Sequence, residues 1–162
     1  MNLLINIVQT PEGDLEPDVM AIVDGIGKWT AINGEGIYAS RPWMISGENP
    51  PPASPSPTPD PKYGEMFNEG KQKLSAKNIR FTTSKDGKTL YAFCLGEAQE
   101  DIVIKALGSA AGKIERPITS VNLLGGTCPL EWKQNVDALV ITKPAAVPLP
   151  GMPVGFKITL RK

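Results

Sequence analysis

Seven prolines fall between Pro50 and Pro61, and no regular element can run through them. Each proline fixes its own φ and lacks the N–H that a helix or a ladder needs. The stretch reads as extended polyproline or disordered chain. A surface insertion or spacer outweighs the other reading, a ligand for an SH3-type domain. The run divides the 162 residues into zones at 1–45, 46–73 and 74–162, and the two flanks follow different hydrophobic periods.

The first zone opens on Leu3-Leu4-Ile5-Asn6-Ile7-Val8, which reads as a short strand buried on both faces, as in parallel sheets. A loop follows over Gln9 to Glu16, with Pro11 and Gly13 as turn residues. Pro17 at the first helical position, with Glu16 and Asp18 at the positive end of the dipole, predicts a helix over 17–33. Val19, Ile22, Val23, Ile26 and Thr30 fall on one face, apolar apart from the threonine. Asn33-Gly34 supplies the stop, since either residue tolerates the left-handed conformation at a helix cap. Gly25 and Gly27 each cost about 1 kcal/mol relative to alanine, which close approach to a neighbouring backbone would offset. The zone is a βα unit without sheet partners in this sequence.

The third zone has strand punctuation. Lys77 to Thr83 and Thr89 to Leu95 form a hairpin around Asp86-Gly87. Further strands are predicted over Asp101 to Leu107, Ile118 to Leu124, Ala138 to Thr142 and Val154 to Leu160, the spacing of an antiparallel sandwich. Leu90, Ala92 and Cys94 share one face of the second strand; Tyr91, Phe93 and Leu95 share the other. A two-layer sandwich buries one face of each strand, so the second face calls for another cover, and helix 17–33 is one candidate. Left bare, that strand and the unpaired strand 3–8 would make the isolated chain self-associate.

Composition excludes several chemistries. Lysines and arginines number 17, aspartates and glutamates 17, so the basic excess of a nucleic-acid binder is missing. There is no histidine, which removes Ser-His-Asp and Cys-His relays and His-bearing zinc sites. The two cysteines, Cys94 and Cys128, are too few for a disulfide framework or a four-thiolate site; one disulfide between them is open but unsupported. Cys94, in mid-strand without an activating base, reads as a small core residue. No metal or cofactor site is read. No apolar run approaches the roughly 20 residues of a membrane span, and the start lacks the basic region of a signal peptide.

Three local patterns are weighed and set aside. Gly34-Glu35-Gly36-Ile37-Tyr38-Ala39 fits a dinucleotide fingerprint, but it follows a helix instead of opening one. Gly87-Lys88-Thr89 belongs to the hairpin. Asp14, Glu16, Glu35 and Glu48 cluster in sequence without a spacing that fixes an acid–base pair, and read as solvated loop charges. Trp43 and Trp132 are candidates for stacking on sugar rings, whereas Trp29, in helical register, reads as interdomain packing.

Beyond these patterns, Asn2 to Ile7 followed by Pro11-Glu12-Gly13-Asp14-Leu15 resembles the last barrel strand and following loop of the α-L-fucosidases of glycoside hydrolase family 29. Ile26-Gly27-Lys28-Trp29 and Asn33-Gly34-Glu35-Gly36-Ile37-Tyr38 are similar to that family's signature, as are Arg41-Pro42-Trp43, Gly47-Glu48-Asn49-Pro50 and Ala76 to Thr83. Thr89 to Phe93 and the closing Phe156 to Leu160 continue the likeness nearly end to end. The resemblance implies a mainly β chain: an antiparallel β-sandwich preceded by a βα remnant of a (β/α)8-like barrel. On this reading 1–45 is the barrel's last strand and helix, 46–73 a Pro-rich connection and 74–162 the sandwich. A barrel of about 250 residues does not fit in the first zone.

In that family a retaining mechanism uses an aspartate nucleophile and a separate acid/base on a terminal α-L-fucosyl residue. Both carboxylates and the pocket histidines lie upstream of the last barrel strand. The nucleophile's Trp-x-Asp context is missing here, because the positions two after each tryptophan are Ala31, Ile45 and Gln134. No catalytic residue transfers. Asn6, at the active-site end of the barrel strand, is the one pocket-wall candidate. The implied partners are the catalytic barrel of the same enzyme and, through it, fucosylated glycans, with no nucleic acid and no membrane. The implied compartment is periplasmic, secreted or lysosomal. An alternative of another class is a non-catalytic carbohydrate-binding sandwich presenting Trp43 or Trp132.

Overall fold

The computed structural model describes residues 7, 9–49 and 74–161. Asn6, the strand expected over 3–8 apart from Ile7, and the proline run lie outside the described residues. Helix α1 spans Pro17–Asn33, starting at the proline as the sequence predicts, with Asp18 in its first turn. Of its two internal glycines, Gly25 lies against the Met152 side chain, where an added Cβ would stand 3.3 Å from Cε. Nothing approaches Gly27 within 4 Å. Close packing thus explains the first glycine and leaves the second without a steric reason.

Helix α1 stops at Asn33 as the sequence predicts, but not through the left-handed conformation expected of the cap. Gly34 is right-handed, with φ −59°, and the chain tightens into a 3-10 turn over Gly34–Gly36. The reason is contact. A Cβ on Gly36 would sit 2.6 Å from Phe93 Cζ and 2.9 Å from Tyr91 Cγ. Glycine is needed there so that the backbone can lie on two aromatic rings. The reversal comes later, at Ala39, with φ 57°.

Among the described residues eight strands follow: β1 Ser40–Glu48, β2 Ile79–Ser84, β3 Thr89–Cys94, β4 Ile102–Ile104, β5 Ile118–Leu123, β6 Trp132–Gln134, β7 Leu139–Ile141 and β8 Val154–Leu160. They form two antiparallel sheets, β1-β2-β3-β8-β5 and β4-β7-β6. The inner residues of β3 (Leu90, Ala92, Cys94) and β8 (Val154, Phe156, Ile158) meet Ile102, Ile104, Leu139 and Ile141 of the second sheet in one buried core. This is the predicted sandwich.

Two strands were not foreseen. β6 is three residues long, too short for a period to register. β1 departs further, because residues assigned to the barrel remnant belong to the sandwich sheet from Ser40 onward. Its alternation is broken by a bulge: the register passes from Pro42↔Thr82 to Gly47↔Arg80, so Trp43 to Ser46 stand opposite Phe81 alone. Trp43 fills the bulge with its ring edge-on to Phe81, centroids 5.1 Å apart. The proline run therefore lies between neighbouring strands of one sheet, and not between the helix and the sandwich.

Since nothing crowds Gly27, Gly27→Ala is expected to stabilise the chain by about 0.5–1 kcal/mol through helix propensity alone. A rise in the urea midpoint at unchanged slope is the readout.

Candidate functional site

The outer face of the five-stranded sheet is where the molecule joins its helix. Tyr91 and Phe93 project there from β3, with Leu124 just past β5; Trp29 and Ile32 of α1 pack on them as a second hydrophobic cluster. The Trp29 and Phe93 rings are tilted by 51° at 5.9 Å. Trp29 Nε1–H donates to the Pro153 carbonyl at 2.7 Å, which anchors the indole at both ends. The two-sided apolarity of β3 is thereby explained: the helix covers the face that the second sheet does not.

Polar contacts fix the seat. Asn33, buried at 3% exposure, donates from Nδ2 to the Trp29 carbonyl at 3.0 Å. Its Oδ1 faces Gly155, whose missing side chain leaves it room, and has no hydrogen-bond donor among the described residues. The Thr82 hydroxyl donates to the Gly36 carbonyl at 2.6 Å. Tyr91 Oη–H donates to Glu35 Oε1 at 2.9 Å, and the Lys157 ammonium donates to the same oxygen. The Lys157 hydrogen bond is the largest influence holding the Glu35 carboxyl below its usual range, aided by Tyr91 and opposed by partial burial. Burial, then the hydrogen bond to Glu35, pushes the Tyr91 phenol up to about 12.

The carboxylates read as solvated charges divide. Asp14 and Glu16 are exposed. Glu35 is held at the seam, and Glu48 at the end of β1 accepts from the Lys105 and Ala106 amides of the 3-10 turn after β4. Glu48 thus ties the two sheets together. Of the proposed sugar platforms, Trp43 and Trp132 are both half-buried against the main core. The structure brings neither to the helix seam. Asn6 lies outside the described residues. Both cysteines are free, Cys94 buried in the core and Cys128 exposed. No group of three or more metal-ligating side chains occurs among the described residues.

The seam has an open side. Ile22 is 62% exposed, Met20 52% and Ile26 40%. An apolar groove of about 520 Å3 runs beside them, lined by Ala21, Ile22, Gly25, Ile26, Met152 and Pro153. The α1 residues that pack on the sandwich clusters, Trp29 and Ile32, lie off the apolar stripe read from the sequence, whose Ile22 and Ile26 are exposed. Sequence reasoning missed the Glu35–Tyr91–Lys157 link; its one signal was a lysine in β8 between the core residues Phe156 and Ile158.

A family profile described as the alpha-L-fucosidase C-terminal domain matches residues 72–161. This chain belongs to that family. Among relatives of the fucosidase C-terminal chain, the tissue alpha-L-fucosidase of Bos taurus is 28% identical over 162 residues, covering 99% of this chain and 27% of that protein. The Homo sapiens tissue alpha-L-fucosidase is 24% identical over 164 residues, covering 99% of this chain and 28% of that one. In fold, the chain is similar to alpha-L-fucosidase isoenzyme 1 from Paenibacillus thiaminolyticus, with a TM-score of 0.63 at 18% identity, covering 99% of this chain and 31% of the other. The Thermotoga maritima alpha-fucosidase gives 0.62 at 20% identity, covering 98% and 30%. The chain therefore spans between a quarter and a third of the length of these proteins.

Two outcomes are expected of this C-terminal chain. Trp29→Phe removes the bond to Pro153 while keeping a ring on Phe93, and should lower stability by about 1 kcal/mol in urea denaturation. Burial raises the Cys94 thiol to about 12, so a thiol reagent at mildly alkaline pH should label Cys128 alone in the native chain and both after denaturation.

Proposed function

We propose that the chain is the C-terminal part of a retaining α-L-fucosidase, that its sandwich braces the catalytic barrel, and that it lacks catalytic activity by itself. The observation that carries this reading is the bare apolar side of α1. A helix whose sandwich-facing end is fully seated, yet whose Ile22 and Ile26 stay open beside an apolar groove, is built to be covered by more protein. The matches supply the scale of what would cover it, since the chain accounts for 27% of the bovine protein. Supporting inactivity, Glu35 and Glu48 are both engaged in structural hydrogen bonds, and the chain has no histidine. In isolation the same bare face offers copies of the chain a surface on which to associate.

The test is fucose release from an aryl α-L-fucoside by the purified chain. The expected result is no turnover above a buffer blank, and measurable turnover removes the reading.

A further inference from the structure

We infer that the Glu35 carboxylate is the latch that seats α1 on the sandwich and that acid releases it. Glu35 stands two residues past the end of α1, in the 3-10 turn Gly34–Gly36 that directly follows Asn33. Tyr91 and Lys157 are direct cross-strand partners on β3 and β8, and both donate to one carboxylate oxygen, Oε1. The next residue, Gly36, takes a bond from Thr82 of β2. Two consecutive residues of the turn thus grip three adjacent strands. The Trp29–Phe93 contact is apolar and tolerates sliding; the latch supplies direction alongside the Trp29–Pro153 hydrogen bond.

The groups that face it are few. β3 contributes Tyr91, β8 contributes Lys157, and β2 contributes Thr82, which does not titrate in this range. The charge of Asp86, in the β2–β3 turn, reaches Tyr91 and is itself paired with Lys88 at 3.5 Å. The chain has no histidine, so no imidazole changes charge at the seam near neutrality. Glu35 titrates lower folded than its ordinary 4.5; its contribution is whole above that value and is lost as pH falls through the folded one. Tyr91, raised to about 12 from 10.0, contributes fully below 10.0 and loses its contribution as pH rises towards 12. Between those limits the latch stays shut.

Hydrogen–deuterium exchange of the 162-residue chain, corrected for intrinsic rates and read on peptides from α1, β3 and β8, tests this. At about pH 7, Glu35→Gln should raise opening of the α1 amides about threefold to fivefold, the range of a partly exposed ion pair, and leave β3 and β8 protected. Lys157→Met should do the same, and carries the comparison if Glu35→Gln fails to fold. As pH is lowered below 4.5, the wild-type helix should progressively lose its extra protection over the variants. Equal α1 protection in wild type and variants at pH 7 overturns the inference. An excess opening that persists unchanged to pH 3 also overturns it, because lost shape and not lost charge would then be the cause.

Discussion

Everything on the outer side of the sandwich depends on the apolar contact between the last turn of α1 and the second face of β3. A strand with Tyr91 and Phe93 outside and Leu90, Ala92 and Cys94 inside has no solvated face. The second sheet can cover one side only. Covering the other requires a helix end close enough for Gly36 to touch two rings, and that approach requires glycine at 36 where a longer helix would carry a side chain. The early right-handed tightening of the chain, the turn at Ala39 and the direction in which β1 starts all follow from that contact.

The two interfaces between the layers therefore differ in kind. The inter-sheet core is a continuous apolar interior, closed by Phe156, Leu139 and Ile158 at 0% exposure. The helix seam is a smaller cluster, two aromatic rings and a leucine under Trp29 and Ile32, supplemented by directional bonds from Trp29, Thr82, Tyr91 and Lys157. Small apolar contacts fix area better than angle, so hydrogen bonds must set how the helix lies. The angle matters because the opposite side of the same helix is the bare one.

The sandwich strands were legible because their signals are local. The Asp86-Gly87 hairpin and the alternation of β5 and β8 specify a turn and a face without reference to anything distant. The helix start at Pro17 was legible for the same reason. The right-handed conformation of Gly34 was not, because Asn33-Gly34 reads locally as a cap, whereas the turn is set by the packing of Gly36 on Phe93 and Tyr91, residues distant in sequence. β1 was hidden by its bulge: Trp43 to Ser46 cross a single residue of β2, so period-two alternation vanishes where it would have announced a strand. The need for a cover over β3 was legible, and helix 17–33 was among the candidates. The ion pair that aims that cover depends on a register between β3 and β8, which no sequence window contains.

The proline run sharpens one last point about β1. Thirty residues separate Glu48 from Ile79, although the two pair directly across the ladder. Closing a connection of that length costs about 2 kcal/mol more than closing a two-residue turn. The ends of the connection carry bonds of the matching order. Asn49 donates to the Lys77 carbonyl at 2.9 Å, and the nearly buried Asn78 donates back to the Asn49 carbonyl at 2.5 Å while accepting from the Ser75 amide at 2.7 Å. Glu48 adds its two bonds to the second sheet. With the two ends tied this way, the length and composition of what lies between can vary without disturbing the pairing. That is why a segment so hostile to regular structure can sit inside a sheet's connectivity and leave the seam beyond β1 in register.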